Sequence, residues 1–195
     1  MRSSKRSSSG SEPEESSGAR PARERPAIHI RVLGPDDARE YWNLRLRALR
    51  EHPEAFTSSY AEESIVPIEV ARNRLSSDRP HAFILGAFAN DNLIGIIGLE
   101  PGRRGKEKHK ATLFGMYVAR EHTGLGVGAK LISALLERAR TAPPLHSIVL
   151  TVTAGNGPAL ALYRSFGFRQ FGCEPDAICV DGKYHDKLHL VLQLD

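Results

Sequence analysis

Long apolar runs are missing from this sequence: no window approaches the roughly 18 consecutive apolar residues that a membrane-spanning helix needs, and a membrane role is not expected. Cysteine is nearly absent. Cys173 and Cys179 are the only two, six residues apart in an extended-looking segment. Even spacing sets both on one face of a strand, too far apart to bond each other without a turn. With no histidine at ligand spacing they make a poor zinc site, so no metal is expected, and a reducing cytoplasm is the simplest setting. Met1 to Ser9 is basic and serine-rich with no apolar stretch behind it, unlike a secretory signal. An excess of one charge is lacking as well. The formal net charge is +4, and residues 1–26 hold six Lys/Arg against four Asp/Glu, leaving 21 against 19 in the remainder. That near-neutral remainder offers no electrostatic footprint for nucleic acid.

What is present describes one globular unit. At 195 residues the chain is long enough for a single domain with a substantial core. Residues 1–26 carry no large apolar side chain after Met1, so they read as a disordered tail, and residues 27–195 read as a single domain. Ile28, Ile30 and Val32 alternate with polar neighbours, as in a strand. Asp36 then caps a helix over 37–51, with Ala38, Trp42, Leu46 and Leu49 on one stripe and Pro53 beyond. Residues 54–66 read as a loop, and Pro67 opens a second helix through 75.

Strands follow over 81–89 and 93–99, joined at Asn90-Asp91-Asn92. A basic loop over 101–110 leads to a strand over 111–118. The clearest helix starts at the glycines of 124–128, repeats apolar residues through Ala139, and ends at Pro143-Pro144. A buried strand over 147–152 precedes a short helix with Pro158 at its first position and Gly167 closing it. Strands over 168–180, with an interruption, and 188–194 pair around Asp181-Gly182. The order β-α-α-β-β-β-α-β-α-β-β predicts an α/β (α+β) fold: a mixed, mostly antiparallel sheet of six to seven strands with helices on both faces.

Gly124, Gly126 and Gly128 lie between a strand and a helix, where small residues bare backbone N–H groups and let a bulky anion approach the first helical turn. A P-loop fails, because Ala129 separates Gly128 from Lys130 and Ser133 is misplaced. A dinucleotide fingerprint nearly fits through Gly124, Gly126 and Ala129. The acidic residue it needs about 20 positions on is missing, since 145–153 holds no Asp or Glu.

Val118-Ala119-Arg120-Glu121-His122-Thr123-Gly124-Leu125-Gly126-Val127-Gly128 resembles the acetyl-CoA signature of the GNAT superfamily of N-acetyltransferases, Q/R-x-x-G-x-G/A after a strand. Asn156-Gly157-Pro158-Ala159-Leu160-Ala161-Leu162-Tyr163-Arg164-Ser165-Phe166-Gly167-Phe168 resembles its second motif, N-x-x-A-x-x-L-Y-x-x-x-G-F. The departure is Thr123, standing where a basic or amide residue usually opens the signature. Arg120, Lys130, or Arg103 and Arg104 are the candidates for compensating charge.

The resemblance implies an acetyl-CoA-dependent N-acetyltransferase acting by direct attack of a primary amine, with a non-catalytic acyl-CoA-sensing module as the alternative. It implies that the strands ending at Val118 and starting near Ser147 splay apart. Met116, Tyr117 and Val118 would then hold the pantetheine arm, and the Val118 N–H would stabilise the oxyanion. Thr123, Gly124, Leu125, Gly126, Val127, Gly128 and Ala129 would cradle the pyrophosphate. Tyr163 would protonate the leaving thiolate, or simply pack in the stripe with Ala159, Leu162 and Phe166. Asn156 caps its helix, bonds the cofactor arm, or does both. Glu100 is the first expectation for the base, with Glu54, Glu62, Glu63 and His109 as alternatives. The acceptor is a small-molecule or peptide amine, and the protein a monomer or homodimer.

Overall fold

The computed structural model of the chain describes residues 27–141 and 145–194. The expected tail and the expected Pro143-Pro144 stop lie outside the described residues. Among those described, no helix is long and apolar enough to cross a membrane.

Seven strands form one sheet: β1 (Ile28–Val32), β2 (Phe83–Ala89), β3 (Asn92–Pro101), β4 (Lys110–Val118), β5 (Ser147–Thr153), β6 (Arg169–Val180) and β7 (Lys183–Gln193), in the order β1-β2-β3-β4-β5-β7-β6. β1 to β4 pair antiparallel, β4 and β5 pair parallel, and β5, β7 and β6 pair antiparallel. The expected mixed, mostly antiparallel sheet is the one found.

Among the described residues five α-helices accompany it: α1 (Ala38–Glu51), α2 (Tyr60–Ser64), α3 (Ile68–Leu75), α4 (Val127–Ala139) and α5 (Gly157–Ser165). On one face Val127, Leu131, Ile132, Leu135, Leu136 and Ala139 of α4 pack against Leu85, Ala87, Ile97, Leu99 and Ile148. On the other, Tyr41, Trp42, Leu44 and Ala48 of α1 meet Ile84, Phe88, Ile96 and Tyr117. β2 serves both cores because alternate residues point to opposite faces. Each fully buried leucine or isoleucine contributes about 1.5–3 kcal/mol, so α4, polar on its other side, is held by this seam.

Four details differ from the sequence reading. Asp36 does not cap α1: it lies inside a short 3-10 turn, and Asp37 takes the N-cap position without a side-chain cap hydrogen bond. α2 lies inside the segment expected to be a loop, nucleated by a reciprocal cap in which Ser59 Oγ accepts from the Glu62 N–H at 3.2 Å while the Glu62 carboxylate accepts from the Ser59 N–H at 2.8 Å. β7 begins five residues earlier than position 188, because its polar first half is the exposed arm of the hairpin around Asp181-Gly182. The interruption expected in β6 is a register shift between Glu174 and Ile178, where Asp176 has φ of 51° and its N–H donates to Asp186 at 2.9 Å.

Candidate active site

The parallel ladder between β4 and β5 is three residue pairs long: Lys110 with Ser147, Ala111 with Ile148, and Thr112 with Val149. Beyond Thr112 the strands part, as the resemblance implies. A bulge on the β3 side of β4 accompanies the parting, with Gly115 at φ 63°. The N–H of Ala119 donates to the Ile94 carbonyl at 2.8 Å, and Val118 stands opposite Gly95. Antiparallel alternation therefore turns the Val118 N–H away from β3 and toward the gap.

A cleft of about 950 Å³ opens at this gap. Of the cofactor residues named from sequence, Met116, Tyr117, Val118, Thr123, Gly124, Gly126, Val127, Gly128, Ala129, Asn156, Ala159 and Tyr163 all line it. Leu125 does not; its side chain is exposed to solvent.

The glycines do two different jobs. Gly126 is the N-cap of α4 in the left-handed region at φ 76°, a conformation that costs an L-residue about 1 kcal/mol or more. No side chain caps this helix, so its leading N–H groups are left for solvent or an anion. Gly128 instead sits at a close approach: a Cβ there would stand 2.9 Å from Met116 Cε and 3.0 Å from Leu162 Cδ2. Thr123 does not replace the missing basic residue. Its hydroxyl donates to the Arg120 carbonyl at 2.8 Å, tying off the turn before the loop.

That turn is braced from α1. Arg47 holds the Glu121 carboxylate with two hydrogen bonds of 2.8 and 2.6 Å and reaches Glu51 at 2.7 Å. The Tyr117 hydroxyl donates to the other Glu51 oxygen at 2.6 Å. These partners hold Glu51 below the usual carboxylate range, the tyrosine bond contributing most and Arg47 next. Burial first, then the Glu51 hydrogen bond, pushes the Tyr117 phenol up.

Tyr163 is buried on α5 with its ring edge-on to Phe168 at 5.7 Å, and its hydroxyl donates to Met116 Sδ at 3.4 Å. Burial pushes this phenol up, so it keeps its proton at neutral pH. The Asn156 carbonyl oxygen accepts from the Ala159 N–H at 3.2 Å, which makes it the cap of α5 while it also lines the cleft.

Glu100 is not beside the cleft. It sits opposite Thr112, where β4 and β5 are still paired, and Arg79 and Arg103 neutralise it at 2.6 and 3.4 Å. Arg103 and Arg104 line a separate hollow with Glu100, at the Lys110 end of β4. β4 spans roughly 25 Å at about 3.3 Å per residue, so neither arginine reaches the glycine loop at its other end. His109 lies at that distant end too, its carbonyl bonded to the His146 N–H at 2.6 Å. Glu62 is tied back to Ser59 at the α2 cap, and Glu63 is buried against Arg45 at 3.1 and 3.2 Å.

Of the acidic alternatives, only Glu54 lines the cleft. His52, His122, Lys183 and His185 line it as well, and the sequence reading missed all four because they come from three segments far apart in the chain, Lys183 and His185 both from β7. A second cavity, of about 320 Å³, shares Ala55, Phe56, Met116, Thr153, Asn156, Ala159 and Tyr163 with the cleft and is lined further by Arg45, Thr57, Ser58 and Lys187.

Residues 41–168 match the family model described as "Acetyltransferase (GNAT) family". A methionine sulfoximine/methionine sulfone acetyltransferase of Pseudomonas aeruginosa is 35% identical over 94 residues, which is 48% of this chain and 51% of that protein. The chain thus spans about half the length of that relative. A spermidine N(1)-acetyltransferase of Vibrio cholerae is 30% identical over 124 residues, 64% of this chain and 70% of that one. Among solved structures, that of yncA, a putative acetyltransferase from Salmonella typhimurium with its cofactor acetyl-CoA, superposes with a TM-score of 0.71 at 21% identity, covering 87% of this chain and 95% of that one.

Proposed function

The chain belongs to the acetyltransferase (GNAT) family, and on that premise we propose that it transfers the acetyl group of acetyl-coenzyme A to a primary amine. The observation that carries the reading is the three-pair limit of the β4–β5 ladder, which turns main-chain groups of β4 toward a cleft ending at the uncapped start of α4. Two relatives are named as acetyltransferases, one of methionine sulfoximine and methionine sulfone and one of spermidine N(1), and the yncA structure holds acetyl-CoA. Neither relative is named for binding alone, so nothing supports a sensing module.

In this reading the leading N–H groups of α4 and the left-handed glycines meet the pyrophosphate, with His122 beside them in place of the missing basic residue. The Val118 N–H meets the oxyanion as the amine nitrogen bonds to the thioester carbon; a single donor of this kind is worth roughly 2.7–4 kcal/mol. As the carbon–sulfur bond breaks, Tyr163 supplies the proton that the departing thiolate takes. His52, Glu54 and His185 supersede Glu100 as the groups near enough to accept the proton the amine loses. A single unit over 27–195, working in the cytoplasm with no resident metal, completes the proposal.

The test is thiol release from acetyl-CoA by the purified chain across a panel of amines, with the acetylated product weighed by mass spectrometry. Amine-dependent release with a 42-dalton gain on the acceptor, the mass acetyl adds, is the expected result. Calorimetry showing no heat with coenzyme A would remove the reading.

A further inference from the structure

Lys187 is an unusual resident of the second cavity. It lies on β7, opposite Thr153 of β5 and Glu174 of β6, and is 6% exposed. Its ammonium donates to the Thr57 hydroxyl at 2.7 Å, and no ion pair joins it to any described carboxylate. Glu174, its cross-strand neighbour on β6, is engaged with His189 at 3.1 Å. The cavity's other cation, Arg45, has its charge met by Glu63 through two hydrogen bonds. No acidic side chain lines this cavity. An ammonium held among β-strands with one neutral partner is costly unless an anion joins it.

We propose that this cavity receives the acceptor, and that the acceptor is a compact amine bearing a carboxylate, as in a free amino acid, whose carboxylate pairs with Lys187. The assignment rests on the acetyl-transfer reading and narrows it. Three features support it. The cavity opens onto the strand gap through Met116, Thr153 and Tyr163, so an amine at the gap and an anion at Lys187 belong to one small molecule. Its volume of about 320 Å³ suits such a molecule. The Thr57 hydroxyl, which accepts from the ammonium, keeps its own proton to donate to the same anion. A polyamine brings a second cation to face Lys187 with no acid in the lining to receive it, and a peptide amino terminus brings no carboxylate next to its amine. Burial holds the Lys187 ammonium below the ordinary lysine range, a shift that an arriving carboxylate reverses.

The experiment compares leucine and methionine with their amides, spermidine and a neutral tripeptide as acceptors for the full chain and acetyl-CoA. The acids are expected to exceed their amides about 10- to 100-fold in kcat/KM, the range a charge-assisted hydrogen bond gives. Lys187→Met should bring the acids down to the level of the amides, mostly through KM, with the Kd for acetyl-CoA unchanged, and Lys187→Arg should restore the preference. Equal turnover of acid and amide by the native chain, a preference for spermidine or the tripeptide, or an undiminished preference in Lys187→Met overturns the acceptor assignment alone. Absence of transfer to every amine overturns the acetyl-transfer reading and this assignment with it. The native acid-against-amide comparison decides the matter even where a variant does not fold.

Discussion

The phenolic hydroxyl of Tyr163 lies 3.4 Å from the sulfur of Met116, joining α5 to the unpaired stretch of β4. A thioether is a weak acceptor, so a buried phenol has there a poor partner for a strong donor. The pair marks the place where a better sulfur acceptor, a thiolate, gains the most from the same proton.

Tyr163→Phe should therefore lower kcat about 10²- to 10⁴-fold, the range for one general acid, while the Kd for acetyl-CoA from calorimetry stays within a factor of three or so. Unchanged turnover would leave the tyrosine as packing against Phe168.

Gly126→Ala should cost about 1 kcal/mol in urea denaturation, through its φ of 76° and not through contact, because a Cβ there meets nothing within 4 Å. Gly126→Glu adds a carboxylate where the leading N–H groups of α4 are bare, and should abolish coenzyme A binding in calorimetry. Normal binding by that variant would put the phosphates elsewhere.

Arg45 and Glu63 have side chains 11% and 10% exposed. Removing one member of a buried pair strands the other, so Glu63→Ala should destabilise the fold by roughly 3–5 kcal/mol in urea melts. A loss below about 1 kcal/mol would mean that Arg74, 4.0 Å from the same carboxylate, carries no structural weight and that Arg45 finds water.

The hydrogen bond from Arg47, followed by that of its own backbone N–H, holds Glu121 at about 2, below its ordinary 4.5. A depressed carboxylate stabilises the fold above its unfolded value and loses that contribution as pH falls, here from about 4.5 to about 2. Both side chains are more than a third exposed, so screening limits the pair to about 1 kcal/mol at most. Arg47→Met should flatten the decline in melting temperature across that window, and 1 M salt should shrink the difference between the two proteins. Parallel acid-side curves would contradict this.

The sequence made the architecture legible wherever a period ran long enough. The apolar stripe of α4 and the alternation of Ile28, Ile30 and Val32 each match the element found. The five-residue helix α2 was hidden because it holds too few residues to show a period, although Ser59 and Glu62 carry its reciprocal cap in plain view. Glu100 was misplaced because a strand's sequence does not tell which of its ends stands by the gap. That is set by where the β4–β5 ladder stops, a long-range pairing between positions 112 and 149. The cluster of His52, His122 and His185 was invisible for the same reason, since three elements far apart in sequence bring it together. Lys187 falls just before the strand expected from 188, and only the longer β7 found in the fold shows it buried in the sheet.

Between Thr112 and the end of β4, one edge of the strand carries rungs of a ladder whose other upright has veered away. A guest with amides along its length is, in architectural terms, a prosthetic strand, bridging the left and right halves of the sheet. Loading such a guest should stiffen the seam between them, slowing deuterium uptake along β4 and β5 together. The same guest, once spent, would have to unzip before a fresh one could enter, which makes departure of the used carrier a natural candidate for the slow step of the cycle.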